Sequence, residues 1–241
     1  MSFTRVIGTG SYLPERILTN SEIEKMVDTN DKWIRERTGI RERRIAADSE
    51  STSDLALQAS IAALSAAGLA AKDLDMIIVA TTTPERIFPS TACLLQRHLD
   101  VHGCPAFDIQ AVCTGFIYAL AVADQFIKSG TCKKVLVVGA EIMSRIVDWT
   151  DRGTCVLFGD GAGAVVLAAS ESPGILSSHL HADGQYENLL QVPFGVAQTI
   201  DSSIERKACI EMQGNDVFKM AVRTLDRIVD ETLLANQMEK H

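Results

Sequence analysis

An α/β layered fold around a mostly parallel sheet is what this sequence predicts, on three observations. DMIIVATTT (75–83) and KKVLVVGAE (133–141) are continuous apolar runs of strand length, the kind buried on both faces of a parallel sheet. Segments with helical spacing of apolar residues lie between such runs, so strands and helices alternate. The chain of 241 residues, 46% hydrophobic and 22% charged, can bury a sizeable core.

Taken in order, RVIGTG (5–10) reads as an opening strand into a glycine turn. Residues 20–27 and 31–38 read as short helices. STSDLALQASIAALSAAGL is a stronger helix, with Ser/Thr caps, dense alanine and a stop at Gly68. DMIIVATTT follows as a strand, 90–100 as a helix, PAFDI (105–109) as a strand and 114–129 as a helix. KKVLVVGAE and GAGAVVLAAS (161–170) complete the run of strands. After Ser172-Pro173-Gly174 the pattern restarts with GILSSHLHADG, read as strand and loop. From Gly214 a long helix aligns Val217, Phe218, Ala221, Val222, Leu225, Ile228, Val229 and Leu233 on one face. In the first half such a helix ran through KDLD into MIIVA; here it runs into LLANQMEKH, where an inner strand is due. The expectation is one complete α/β unit, 1–172, and the opening of a second, incomplete one, 173–241. The simpler alternative is a helix that closes a finished protein.

The formal net charge of −8 argues against general nucleic-acid binding. No apolar run approaches the roughly 20 residues that span a bilayer. MSFTRVIGTG lacks the basic start and apolar core of a secretory signal, so a cytoplasmic protein with no membrane partner is expected. The cysteines at 93, 104, 113, 132, 155 and 209 form no CxxC pair and have no histidines at zinc spacing, so reduced thiols and no metal are expected. His179 and His181 are read as surface or loop residues. One stretch departs from the acidic average: RERTGIRERR (35–44) holds five arginines against two glutamates, just after Trp33. It reads either as a solvated face of helix-type ion pairs or as an anion site. Arginine forks grip phosphate bidentately, and Trp33 offers a flat face to a base.

DIQAVCTGFIYAL (108–120) places Cys113 where a strand turns into a helix. Unpaired N–H groups and the macrodipole at a helix N-terminus favour negative charge. A cysteine pKa there can fall from about 8.5 to between roughly 3.5 and 7.5, giving a nucleophilic thiolate. Thr114 and Gly115 are small enough for a substrate carbonyl to approach, and the first helical N–H groups can receive the oxyanion of an attacked thioester. A buried structural cysteine is the competing reading, and composition does not separate the two.

DIQAVCTGFIYAL, RTGIRER after Trp33, TDRGTCVLFGDGAGAVVL and MQGNDVFKMAV together resemble β-ketoacyl-acyl carrier protein synthase III, of the thiolase fold. The likeness runs in register from about residue 3 to 240. It implies a thiolase-like layered α/β fold of two pseudo-repeated halves. It also implies the initiating step of bacterial type II fatty-acid synthesis. In that step a short acyl-CoA, acetyl-CoA by preference, condenses with malonyl-acyl carrier protein and releases CoA and carbon dioxide. Cys113 would be the acylated nucleophile. On the CoA side Trp33 would stack on adenine with Arg152 against the opposite face. Thr29 and Arg37 would contact the nucleotide end, and Gly153 would let the backbone close in. Met212, Gly214, Asn215 and Phe218 would wall the pantetheine tunnel, and Lys219 would meet the acidic carrier protein. Phe88 would reach into the partner's acyl pocket in a homodimer and limit primer length, with Leu157 and Phe158 lining the pocket. Acyl-CoA would be a substrate and no cofactor permanently bound. FGDGAGA lacks the Gly-Lys-Ser/Thr ending of a phosphate loop and is expected to be a tight, closely packed turn.

The family's histidine, in a Pro-His-Gln-Ala-Asn-like segment, and its later asparagine have no matching motif in this sequence. His241 lacks that context, and Asn215 and Asn236 lie outside the asparagine motif. The expectation is therefore that the sequence covers part of a longer enzyme and that the activity belongs to the whole. Two other functions stay open: a related thiolase-fold enzyme making long-chain β-ketoacids, polyketides or hydroxymethylglutaryl-CoA, and a non-catalytic acyl- or CoA-binding fragment.

Overall fold

The computed structural model describes residues 3–197 and 208–240. In chain order its elements are β1 (Phe3–Tyr12), β2 (Arg16–Thr19), α1 (Asn20–Ile23), α2 (Asp31–Thr38), β3 (Glu42–Ile45) and α3 (Thr52–Ala67). There follow β4 (Met76–Ala80), α4 (Thr91–His98), β5 (Ala106–Ile109), α5 (Gly115–Lys128), β6 (Lys134–Ile142), α6 (Arg152–Cys155) and β7 (Asp160–Ser170). The last are β8 (Leu190–Gln191), β9 (Glu211–Met212) and α7 (Gly214–Ala235). The chain forms two compact units that interleave along the sequence: residues up to 16, 44–142 and 160–180 in one, 17–43, 143–159 and the chain from 181 in the other.

The first unit is a sheet of order β1-β7-β6-β4-β5 with helices on both faces. Residues of β4 alternate between two cores. Ile77 and Val79 face the cluster built on α3, with Leu55, Ala59 and Leu95, while Met76, Ile78 and Ala80 face α5, with Ala119, Ala123 and Ile127. This is the double-sided burial that the continuous apolar run predicted. The sheet is nonetheless mixed rather than mostly parallel. β5, β4 and β6 run parallel, whereas β7 returns antiparallel beside β6 and pairs antiparallel with β1. A parallel return needs a crossover, usually a helix packed on the sheet. Between β6 and β7 there are only a 3-10 turn at Met143–Arg145 and the four-residue α6, neither assigned to the sheet's unit, so β7 folds straight back.

Gly8 and Gly10 overturn the expected turn after the opening strand, because β1 runs on through both to Tyr12. A Cβ on Gly8 would lie 2.4 Å from the Ala63 carbonyl oxygen, and one on Gly10 would lie 2.3 Å from that of Ala59. The two glycines thus let α3 press its backbone against the strand. FGDGAGA is likewise no turn: it enters β7 at Asp160, and a Cβ on Gly161 would sit 3.1 Å from Leu13 Cδ2. The expected close packing is there, in a strand. α3 itself is framed as its sequence predicts, by a capping box of Ser51 with Asp54 and by Gly68 at φ +64°.

In the second unit α2 starts at Asn30, whose side chain accepts from the Trp33 N–H, and stops at Gly39 with φ +74°. Arg43, from the arginine-rich stretch, is buried; its guanidinium donates to Asn20 Oδ1 and to the Val156 carbonyl, both at 2.6 Å. Residues 174–184 form no strand, contrary to expectation. Past the Ile175 N–H bond to the Thr4 carbonyl (2.8 Å), the polar run SSHLHADG passes into a 3-10 helix at Gly184–Leu189. β8 and β9 make a short antiparallel pair that leads into α7. No residue of α7 is buried: on its apolar face Phe218 is 70% and Leu225 63% exposed. His241 lies outside the described residues.

Candidate active site

Cys113 stands at the junction its sequence predicted. β5 ends at Ile109, a 3-10 turn spans Val112–Thr114, and α5 begins at Gly115. The thiol is exposed. Val112 holds φ at +48°, in the left-handed region that a β-branched residue rarely adopts, so the turn stores strain next to the thiol. Buried Gly115 lets the first turn of α5 sit against β4, since a Cβ there would already touch Ala80 Cβ at 3.4 Å. The Thr114 N–H donates to the Ala111 carbonyl (3.2 Å) and the Gly115 N–H to the Val112 carbonyl. These two N–H groups are therefore occupied within the turn, which narrows the expected set of oxyanion donors.

The residues expected at CoA gather on the second unit, around α2, α6 and β9. Arg152 lies over the Trp33 ring, its guanidinium carbon 4.9 Å from the centroid, and donates to the Asp28 carbonyl at 3.0 Å. A base held between them would part this pair. The Thr29 hydroxyl, one residue on from Asp28, is buried with no hydrogen-bond partner, a polar atom left for something else to satisfy. Among the arginines of 35–44, Arg35 pairs with Asp31, Arg43 is buried and Arg44 donates to the Pro14 carbonyl. Arg37 is exposed and holds no ion pair among the described residues, which leaves its fork available.

Gly153 has a local reason to be glycine: a Cβ would approach Asp151 Oδ1, which caps α6, to 3.2 Å. β9 lies against α6 and carries Met212; Gly214, Asn215 and Phe218 follow at the start of α7. Lys219 is exposed and paired with Asp216 at 3.1 Å. Leu157 and Phe158 follow α6 half-buried. Phe88 belongs to the first unit and is 81% exposed, so it is no core aromatic. His181 is bound to Glu231 at 2.8 Å, and no group of side chains among the described residues could hold a metal ion.

The sequence reading passed over three carboxylates, Glu85, Asp108 and Glu141. The available signal was an acidic residue near the carboxyl end of two otherwise apolar strands, AFDI and KVLVVGAEI. Burial pushes the carboxyls of Asp108 and Glu141 above the usual range, against hydrogen bonds that pull them down.

Comparison with known proteins bears on the whole chain. The family profile of 3-oxoacyl-[acyl-carrier-protein (ACP)] synthase III matches residues 107–184. A β-ketoacyl-[acyl-carrier-protein] synthase III of Thioalkalivibrio sulfidiphilus is 62% identical over 240 residues, 100% of this chain and 74% of that protein. The protein of the same name from Thiobacillus denitrificans is 61% identical over 241 residues, with the same coverage of each. The crystal structure of 3-oxoacyl-[acyl-carrier-protein] synthase III from Aquifex aeolicus matches with a TM-score of 0.90 at 50% identity, over 98% of this chain and 73% of that one. Alike in sequence over its full length and in fold, this chain belongs to the β-ketoacyl-acyl carrier protein synthase III family, the thiolase-fold condensing enzymes that start fatty-acid synthesis.

Proposed function

We propose that Cys113 is the nucleophile of an initiating condensation between a short acyl-CoA and malonyl-acyl carrier protein. The observation that supports this best is the exposed thiol beside a strained turn, at the start of α5, in a chain of this family. The sulfur attacks the thioester carbonyl, the bond from carbonyl to CoA sulfur breaks, and CoA leaves as its thiolate. The acyl group then waits on Cys113. Malonyl-carrier protein loses carbon dioxide, and its enolate carbon attacks the acyl carbonyl and displaces the cysteine. The product is β-ketoacyl-carrier protein.

In this reading Trp33 and Arg152 part to clasp the adenine, with Thr29 and Arg37 at the nucleotide end and Gly153 beside them. Met212, Gly214, Asn215 and Phe218 line the pantetheine path, and Lys219 faces the carrier protein. Phe88 enters the acyl pocket of a second copy in a homodimer, where it shortens the space beside Leu157 and Phe158. The halves 1–172 and 173–241 belong to the same proposal, as do reduced thiols and a cytoplasmic setting. Among the described residues no helix is long and apolar enough to cross a membrane.

The test is incubation with acetyl-CoA followed by mass analysis of the peptides. Acetyl on the peptide holding Cys113, lost in Cys113→Ser, is the expected result. Label on another cysteine, or label that survives the substitution, refutes the assignment.

A further inference from the structure

Three carboxylates that the condensation does not use fix one loop and its exit: Glu141 holds the loop from β6, Glu85 ties it from within, and Asp108 holds the start of α4 behind it. Glu141, near the end of β6, accepts the Thr82 N–H on Oε1 (2.8 Å) and the Thr83 hydroxyl on Oε2 (2.5 Å). The Thr83 oxygen in turn accepts the Ile142 N–H at 2.9 Å, and the Thr83 carbonyl accepts the Thr52 hydroxyl at 2.5 Å. Glu85 reaches α3, accepting the Ser53 N–H at 2.8 Å, and also accepts the Thr91 hydroxyl at 3.2 Å. Asp108, on β5, takes the N–H groups of Thr91 and Ala92, each at 2.7 Å. Residues 81–92 are thus tied to β5, β6 and the first turn of α3.

Between these ties the loop shows water two large apolar side chains, Ile87 at 71% and Phe88 at 81% exposure. Both halves of that arrangement cost free energy. Half-buried carboxylates give up part of their hydration and need hydrogen bonds in its place, and an exposed apolar tip forgoes the gain of burial. A loop that merely connected β4 to α4 would need neither. A tip fixed in advance does make sense where it must enter a partner, because ordering it on association would weaken binding.

We infer that Glu141, Glu85 and Asp108 are positioning residues that hold the 81–90 loop so that Ile87 and Phe88 enter the acyl pocket of a second copy preformed, and that this clamp helps set primer length. The inference rests on the proposed role of Phe88. The test compares Cys113 acylation by hexanoyl-CoA and acetyl-CoA in the intact chain and in Phe88→Ala, Glu141→Ala, Glu141→Gln and Thr83→Val. Thr83→Val removes the hydroxyl with little change of shape, and so reports on the clamp even where Glu141→Ala fails to fold.

The expected result is a hexanoyl-to-acetyl ratio raised roughly tenfold in Glu141→Ala and Thr83→Val, the size of one lost hydrogen bond to a charged group, and by at least as much in Phe88→Ala, which removes the ring itself. Glu141→Gln keeps an acceptor for the Thr82 N–H and restores most of the original preference. A shift in Phe88→Ala with none in Thr83→Val or Glu141→Ala overturns the clamp and leaves the Phe88 assignment standing. Should Phe88→Ala leave the ratio unchanged, the pocket assignment falls, and amide exchange at Thr82, whose N–H Glu141 accepts, decides the clamp alone. Exchange sped up roughly tenfold in Thr83→Val, again one such bond, upholds the clamp as the loop's anchor, and unchanged exchange overturns it.

Discussion

α3 and α7 are the two longest helices, and they are opposites. The 16 residues of α3 include eight buried ones, and the helix is pressed so hard on β1 that only glycine fits beneath it. α7 has 22 residues and the cleaner separation of apolar from polar faces, yet none of it is buried. An amphipathic pattern tells which face of a helix is to be covered and nothing about what covers it. Most helical stability in proteins comes from tertiary packing. α3 therefore acts as a structural element of the sheet, while α7 presents an apolar face that nothing among the described residues buries.

Substitutions can break this contrast, and the largest effect belongs on α3. Leu55 is fully buried, so Leu55→Ala is expected to lower stability by about 2–5 kcal/mol, measured by urea unfolding. Gly10→Ala comes next, at about 1–3 kcal/mol, because its methyl group would overlap the α3 backbone. Leu225→Ala on α7, at a position 63% exposed, should stay within about 0.5 kcal/mol by the same measurement. A cost for Leu225→Ala equal to that of Leu55→Ala would erase the distinction between the helices.

The second unit is sharpened by binding rather than by unfolding. Trp33→Ala removes the ring under Arg152 and should weaken CoA affinity about fivefold to thirtyfold, the worth of a cation–π or stacking contact, with Cys113 alkylation by iodoacetamide unchanged. Equal affinity in the variant, measured by calorimetry, would exclude Trp33 from the nucleotide site.

Local signals were legible where one residue type has one use. The helix over 31–38, the stop of α3 at Gly68 and the burial of MIIVA on both faces came out as predicted, whereas the Asn30 and Gly39 caps of α2 had not been read from the sequence. What failed depended on partners distant in sequence. Gly8 and Gly10 look like a turn until α3, more than forty residues away, is laid across them. The antiparallel return of β7 follows from the lack of a crossover helix on the sheet between β6 and β7, which no strand pattern encodes. Glu141 sits in an apolar strand, and the groups that justify its charge lie about sixty residues earlier in Thr82 and Thr83. Cys113 could be placed at its junction from the pattern alone, but the left-handed backbone of Val112 could not, since valine carries no signal for it.

That valine couples the thiol to the interior. Holding it in its sparse conformation costs about 1–3 kcal/mol, which the packing of α5 against β4 has to offset. Any softening of the sheet's α5 face gives the turn licence to relax and swing the sulfur aside. Reactivity at position 113 would therefore report damage to the packing before the melting curve does.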